Sequence, residues 1–263
     1  MTALTHALGD SGTMVARQLR HMLRYPSMTL LLAGMPIFFL LLFVYVFGGA
    51  MGTGAVGAAA GRAAYLEYIA PGIILIAVAS AAQGTAISVA MDMTEGVVAR
   101  FRTMDIARVS VLTGHVVGSL VQAMVSAGLL TAVAVLIGYR PGAGPAEWLA
   151  VVGVLLMVSF ALTWLTVALG LLAKTVESAS NLPMPLVFLP FLGSGFVPTE
   201  TLPTALRWFA EYQPFTPVID TLRGLLTGTG AGDRWIAAVA WCAGISLVSY
   251  LWAKRLYNRD PAA

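Results

Sequence analysis

Polar and charged residues occupy short intervals of this chain, and between them lie six apolar runs: Met28–Phe47, Ile69–Ala90, Val111–Gly138, Trp148–Ala173, Leu182–Val197 and Trp235–Ala253. Helices of this length reach across about 30 Å of hydrocarbon. None of the runs shows the ten-residue alternation of a membrane β-strand, so a barrel is not supported. The fifth run is the shortest and carries Pro183, Pro185 and Pro190. Proline frees backbone groups that lipid cannot satisfy, so this helix is expected to be kinked and packed against its neighbours. The expected fold class is an all-α integral membrane protein: one transmembrane domain over 1–263 with six spanning helices.

The polar intervals have patterns of their own. Over 8–26, Val15, Leu19, Met22 and Leu23 share one helical face while Arg17, Arg20, His21 and Arg24 share the other. Such a helix lies flat on a membrane, its arginines among anionic headgroups. Over 92–108, Val97, Val98, Phe101 and Met104 form one helical face beside Glu95, Arg100 and Arg102, which fits a charged connector or a short helix that docks into a cytosolic partner. Over 198–234, two apolar helical stretches, Pro203–Tyr212 and Pro217–Leu226, are divided by Gln213 and Pro214. Both are too short to span, and a helical hairpin dipping into the outer leaflet fits best. Thr216 followed by Pro217 reads as a capped helix start.

Composition sharpens the class. The chain is 59% hydrophobic and 10% charged, with mean hydropathy +0.85, whereas a soluble domain is nearer a quarter charged. Net charge is +3, but the basic residues lie in clusters between apolar runs, which suits a membrane surface and not nucleic acid. With both termini cytoplasmic, ten Arg and Lys fall in inner intervals and five in outer ones, the excess that the positive-inside rule demands. The first run, 20 residues long, exceeds a typical cleavable signal core, although the small residues from Gly48 to Gly61 resemble a cleavage site. Thirteen arginines against two lysines point to a GC-rich bacterial genome and hence a bacterial plasma membrane. Cys242 is the single cysteine and reads as a small core residue.

Several chemistries are missing. Neither Lys174 nor Lys254 follows a glycine-rich run, so the chain is not its own P-loop ATPase. His6, His21 and His115 are scattered without metal-ligand spacing. No catalytic, cofactor-binding or metal-binding residue is assigned. The six runs contain no Asp, Glu, Lys or Arg, which disfavours a proton-coupled carrier, since such carriers place titratable groups at membrane depth. Gln83, His115, Gln122 and Asn181 are the main polar positions, read as satisfied packing or interfacial groups.

Three patches, in order, carry a family resemblance. The first is RQLRHMLRYP at 17–26 followed by PIFFLLLFVYVFG at 36–48; the second is TEGVVARFRTMDIARVSVLTGH at 94–115. The third is FLGSGFVPTETLP at 191–203 with QPFTPVIDTLRGLLTG at 213–228. With them the chain resembles the type-2 ABC exporter permeases typified by the daunorubicin-resistance permeases. The resemblance implies a six-helix permease that dimerises on two copies of a separate ATPase, which binds ATP and Mg²⁺; a homodimer is expected because symmetric self-pairing is the common case. It makes 8–26, with Arg17, Arg20 and Arg24, the membrane-interface helix. Glu95, Gly96, Val98, Phe101, Arg102 and Met104 become the contact with the ATPase, and 198–234 the outer re-entrant hairpin. Asp105 departs from the family pattern, in which relatives often have proline, so the partner contact there is expected to differ.

The function implied is export of a hydrophobic or amphipathic compound at the expense of ATP, and no residue of this chain does covalent chemistry. Phe39, Phe43, Trp164, Phe188 and Phe191, with Phe38 and Phe160 near them, are candidates for lining a substrate path. Aromatics at helical spacing in a membrane are also common as packing or lipid-facing groups. The rival readings are an ion-gradient-driven carrier and a membrane scaffold that transports nothing.

Overall fold

The computed structural model describes residues 26–49, 61–94 and 108–257, with side chains described from Ala33 in the first segment and from Thr113 in the third. Among these residues the regular structure is entirely helical. Helix α1 (Pro26–Leu42) continues as one π-helical turn, Phe43–Phe47; α2 is Gly61–Thr94, α3 Arg108–Leu136 and α4 Pro145–Leu172. Two short helices, α5 (Val176–Asn181) and α6 (Met184–Phe188), precede a 3₁₀ turn at Leu189–Leu192. The hairpin helices are α7 (Thr204–Tyr212) and α8 (Phe215–Thr227), and α9 (Trp235–Tyr257) ends the described chain.

Among the described residues, four helical stretches are long and apolar enough to cross a membrane: Gly61–Thr94, Thr113–Leu136, Pro145–Leu172 and Trp235–Tyr257. The helices outrun the apolar runs, and α2 holds Arg62, Glu67 and Asp92 near its ends. Burial sets the layout. In the most apolar stretch of α2, 78% of residues are buried, against 22% in α9. Helix α2 is hydrophobic all round, as a helix surrounded by others must be, and α1, α3, α4, α5 and α8 pack against it. Helix α9 rests on α4 and leaves Ile236, Val239, Leu247, Val248 and Leu251 exposed.

Local chemistry explains the helix boundaries. Pro145 occupies the first turn of α4, where its missing N–H costs nothing, and the Glu147 carboxylate accepts from the Gly144 N–H at 2.6 Å. Thr175 caps α5 by accepting from the Ser178 N–H at 3.1 Å. The fifth apolar run is divided between α6 and the 3₁₀ turn, because Pro183, Pro185 and Pro190 withhold N–H groups and Gly193 ends the turn. Helix α8 ends at Gly228, whose φ of +77° lies in the left-handed region open to glycine.

The hairpin corrects one expectation. Helix α8 begins at Phe215, so Thr216 does not cap it. Its hydroxyl instead donates to the Ala210 carbonyl at 2.5 Å and accepts from the Ser194 N–H at 3.3 Å. Thr216 thus ties α7, α8 and the 193–196 turn together, a long-range use that local pattern does not reveal.

Candidate functional site

Two assemblies of side chains stand out, and the hairpin builds the first. Arg223, on α8, lies over the Tyr68 ring of α2 at 4.1 Å. Its Nη2 donates to the carbonyls of Ser194 and Tyr68 at 2.5 and 3.2 Å, and its Nη1 to Asp220 at 2.9 Å. Asp220 also accepts the Ser194 hydroxyl at 2.6 Å and faces Arg234 at 3.7 Å. One guanidinium therefore joins α8, the 193–196 turn and the central helix.

Backbone contact backs this clamp. A Cβ placed on Gly72 would lie 2.9 Å from both the Cα and the carbonyl oxygen of Gly195, so the turn rides directly on α2. Gln213 donates to the Leu189 carbonyl at 3.1 Å, fixing the bend between α7 and α8. On α7, Arg207 donates to Glu211 at 2.7 Å, and that bond raises the arginine pKa. Trp208 and Tyr212 stay exposed with ring centroids 5.5 Å apart.

The second assembly is aromatic. Phe191 stacks on Phe196, centroids 4.4 Å apart and planes 10° from parallel. Phe39 meets Phe191 edge-on at 5.5 Å, while Phe43 lies 4.7 Å from Phe196 and 6.1 Å from Phe191. Phe188 lies 6.3 Å from Phe191 and is itself exposed. Four of the five aromatic path candidates thus converge between α1 and the 184–196 region. Trp164 does not: it packs on Tyr250 of α9 at 4.9 Å, with Phe160 at 6.3 Å.

The remaining predicted positions divide. Gln83 donates to the Ser180 carbonyl at 2.7 Å, Gln122 to Ser126 at 3.4 Å, and His115 meets Asp92 at 3.0 Å; Asn181 is exposed. Glu95, Gly96, Val98, Phe101, Arg102 and Met104, and Arg17, Arg20 and Arg24, lie outside the described residues. Sequence reasoning missed Tyr68, Ser194, Asp220 and Arg223 as a group. The available signal was a carboxylate and a guanidinium three residues apart in an otherwise apolar hairpin helix.

Residues 11–227 match the profile of the ABC-2 type transporter family. The chain belongs to that family. A daunorubicin resistance ABC transporter permease protein, DrrB1 of Streptomyces coeruleorubidus, is 29% identical over 95% of this chain and 89% of its own length. A probable doxorubicin resistance ABC transporter permease protein, DrrC of Mycobacterium tuberculosis, is 26% identical over 70% of this chain and 66% of its own. This ABC-2 type chain is a transmembrane permease of an ATP-driven exporter, and the family implies a partner ATPase subunit. The aromatic cluster and the residues of the clamp, apart from Arg234, fall inside the matched region.

Proposed function

We propose that this permease exports a hydrophobic or amphipathic compound of the anthracycline kind across a bacterial plasma membrane. The observation that carries this reading is the likeness, over nearly the whole length of both chains, to a daunorubicin resistance permease. The finer arrangement belongs to the same proposal. Six segments cross the membrane with both termini cytoplasmic, 8–26 lies on the inner leaflet, and 198–234 re-enters the outer one. Two copies of the chain pair, and two ATPase subunits holding ATP and Mg²⁺ dock on Glu95, Gly96, Val98, Phe101, Arg102 and Met104.

Closure of the ATPase pair pushes the 92–108 segment, and the permease halves exchange an inward-open for an outward-open packing. Phe39, Phe43, Phe188 and Phe191 offer the cargo an aromatic surface, and the Arg223 clamp holds the outer hairpin against α2 until the path opens. The experiment combines purification and transport. The tagged chain, extracted gently from its native membrane, is expected to bring down a P-loop ATPase near one to one. In vesicles holding that pair, Phe101→Ala with Arg102→Ala should abolish ATP-driven daunorubicin uptake while ATP hydrolysis persists. Unchanged uptake would remove these residues from the partner contact. Uptake that collapses with an ionophore while ATP stays high would favour an ion-driven carrier instead.

A further inference from the structure

His115, read from the sequence as a packing or interfacial polar group, and Asp92, given no role there, lie 23 residues apart on either side of the 95–107 segment. In the fold, α2 ends two residues beyond Asp92 and α3 begins at Arg108, so the pair sits at the end of the bundle that carries this segment. His115 Nε2 lies 3.0 Å from Asp92 Oδ2, and the two side chains are only 8% and 14% exposed. The other ring nitrogen, Nδ1, is buried without a hydrogen-bond partner among the described residues. The orientation of the ring therefore depends on the one bond to Asp92.

One helical turn further along α3, the Ser119 hydroxyl bonds that of Thr163 on α4 at 2.9 Å, with both residues buried. The next residue of α4, Trp164, rests edge-on against Tyr250 of α9 at 4.9 Å. Around these contacts, Val89, Val116, Val167, Ala168 and Ala253 form an apolar cluster separate from the main core. The end of the bundle next to 95–107 is thus packed as its own unit, joined from α2 to α3 to α4 to α9 by successive side-chain contacts.

We propose that His115 is a positioning residue: through its bond to Asp92 it passes displacement of the 95–107 segment to α3 and α4. The inference rests on the exporter reading, in which that segment receives the ATPase. A bond only two residues from the end of α2 and seven into α3 makes those helix ends move as one, and a push on the segment then reaches Thr163 and Trp164 instead of being lost in the connection.

The test uses the full chain with its co-purifying ATPase in lipid nanodiscs, and reads permease-stimulated ATP hydrolysis against complex yield and thermal midpoint. His115→Ala is expected to lower the stimulation about five-fold or more at unchanged yield. His115→Gln, whose amide nitrogen reaches the position of Nε2, should retain most of it. Asp92→Ala should also lower the stimulation, and the loss in the double substitution should fall short of the sum of the two single losses. If the alanine chain does not accumulate, His115→Phe keeps the ring volume without the bond and takes its place. Wild-type stimulation in His115→Ala or His115→Phe, or a glutamine variant as defective as either at equal yield, overturns the proposal. A wild-type chain that brings down no ATPase overturns the exporter reading itself, before any variant is made.

Discussion

Gly170→Leu should nearly eliminate the folded protein from membranes. Helix α4 approaches the central helix so closely that a Cβ on Gly170 would lie 2.7 Å from the Ala86 carbonyl oxygen, 3.1 Å from its Cα and 3.2 Å from the Val89 Cβ. The first two obstacles are backbone, which cannot rotate aside as a side chain does. Without a hydrophobic drive between helices in lipid, close backbone packing of this kind does much of the holding, and separating the helices forfeits dispersion contacts along their whole crossing. The expected cost is about 3 kcal/mol, a large part of a typical stability. Gly153→Leu, on the same helix, meets nothing within 4 Å and should accumulate normally. Membrane yield and the thermal midpoint of the extracted protein decide the matter, and equal behaviour of the two variants would refute the close crossing.

Arg223→Ala should free the α7–α8 hairpin. The substitution removes three acceptor contacts and a ring contact at once, and leaves Asp220 facing Arg234 at 3.7 Å. Bonds made by a charged group contribute about 1.5–3 kcal/mol when buried. The guanidinium here keeps 20% of its exposure, so a total of about 2 kcal/mol is expected. Hydrogen exchange should quicken by about thirty-fold across 193–227, and ATP-driven export should fall as the hairpin loses its seat on α2. Arg223→Lys should restore little, because an ammonium cannot present a planar fork to several acceptors while covering a ring. Exchange unchanged in Arg223→Ala would show that the hairpin is held by its apolar face alone. In that case Ile219 and Leu222, buried against the core, are the residues to truncate.

These two expectations come from different sources, and so do the parts of the fold. Four of the six apolar runs coincide with helices of span length among the described residues, because crossing hydrocarbon is a demand on contiguous residues and leaves its mark in contiguous sequence. The hairpin was legible for the same reason: Gln213 and Pro214 interrupt two short helical patterns wherever they come to lie in space. The family, too, was carried by motifs read along the chain. Side-chain partners are another matter. Arg223 meets the Tyr68 carbonyl across 155 residues, and nothing local to either position names the other. Thr216 looked like a cap because the local pattern of hydroxyl then proline favours one, yet tertiary contact gave its hydroxyl to Ala210 and Ser194.

The sequence by itself therefore determined that the chain lives in a membrane, where its helices of span length run, and to which family it belongs, since hydropathy and motif order are properties of neighbouring residues. Only the tertiary structure decided which helix is central, that Phe39 and Phe43 meet Phe188 and Phe191 while Trp164 goes elsewhere, and that Asp92 holds His115. Those outcomes depend on how helices rotate and cross, which is fixed by close approaches such as Gly170 on Ala86 and Gly72 on Gly195, and a crossing is a relation between distant segments that no single stretch of sequence contains.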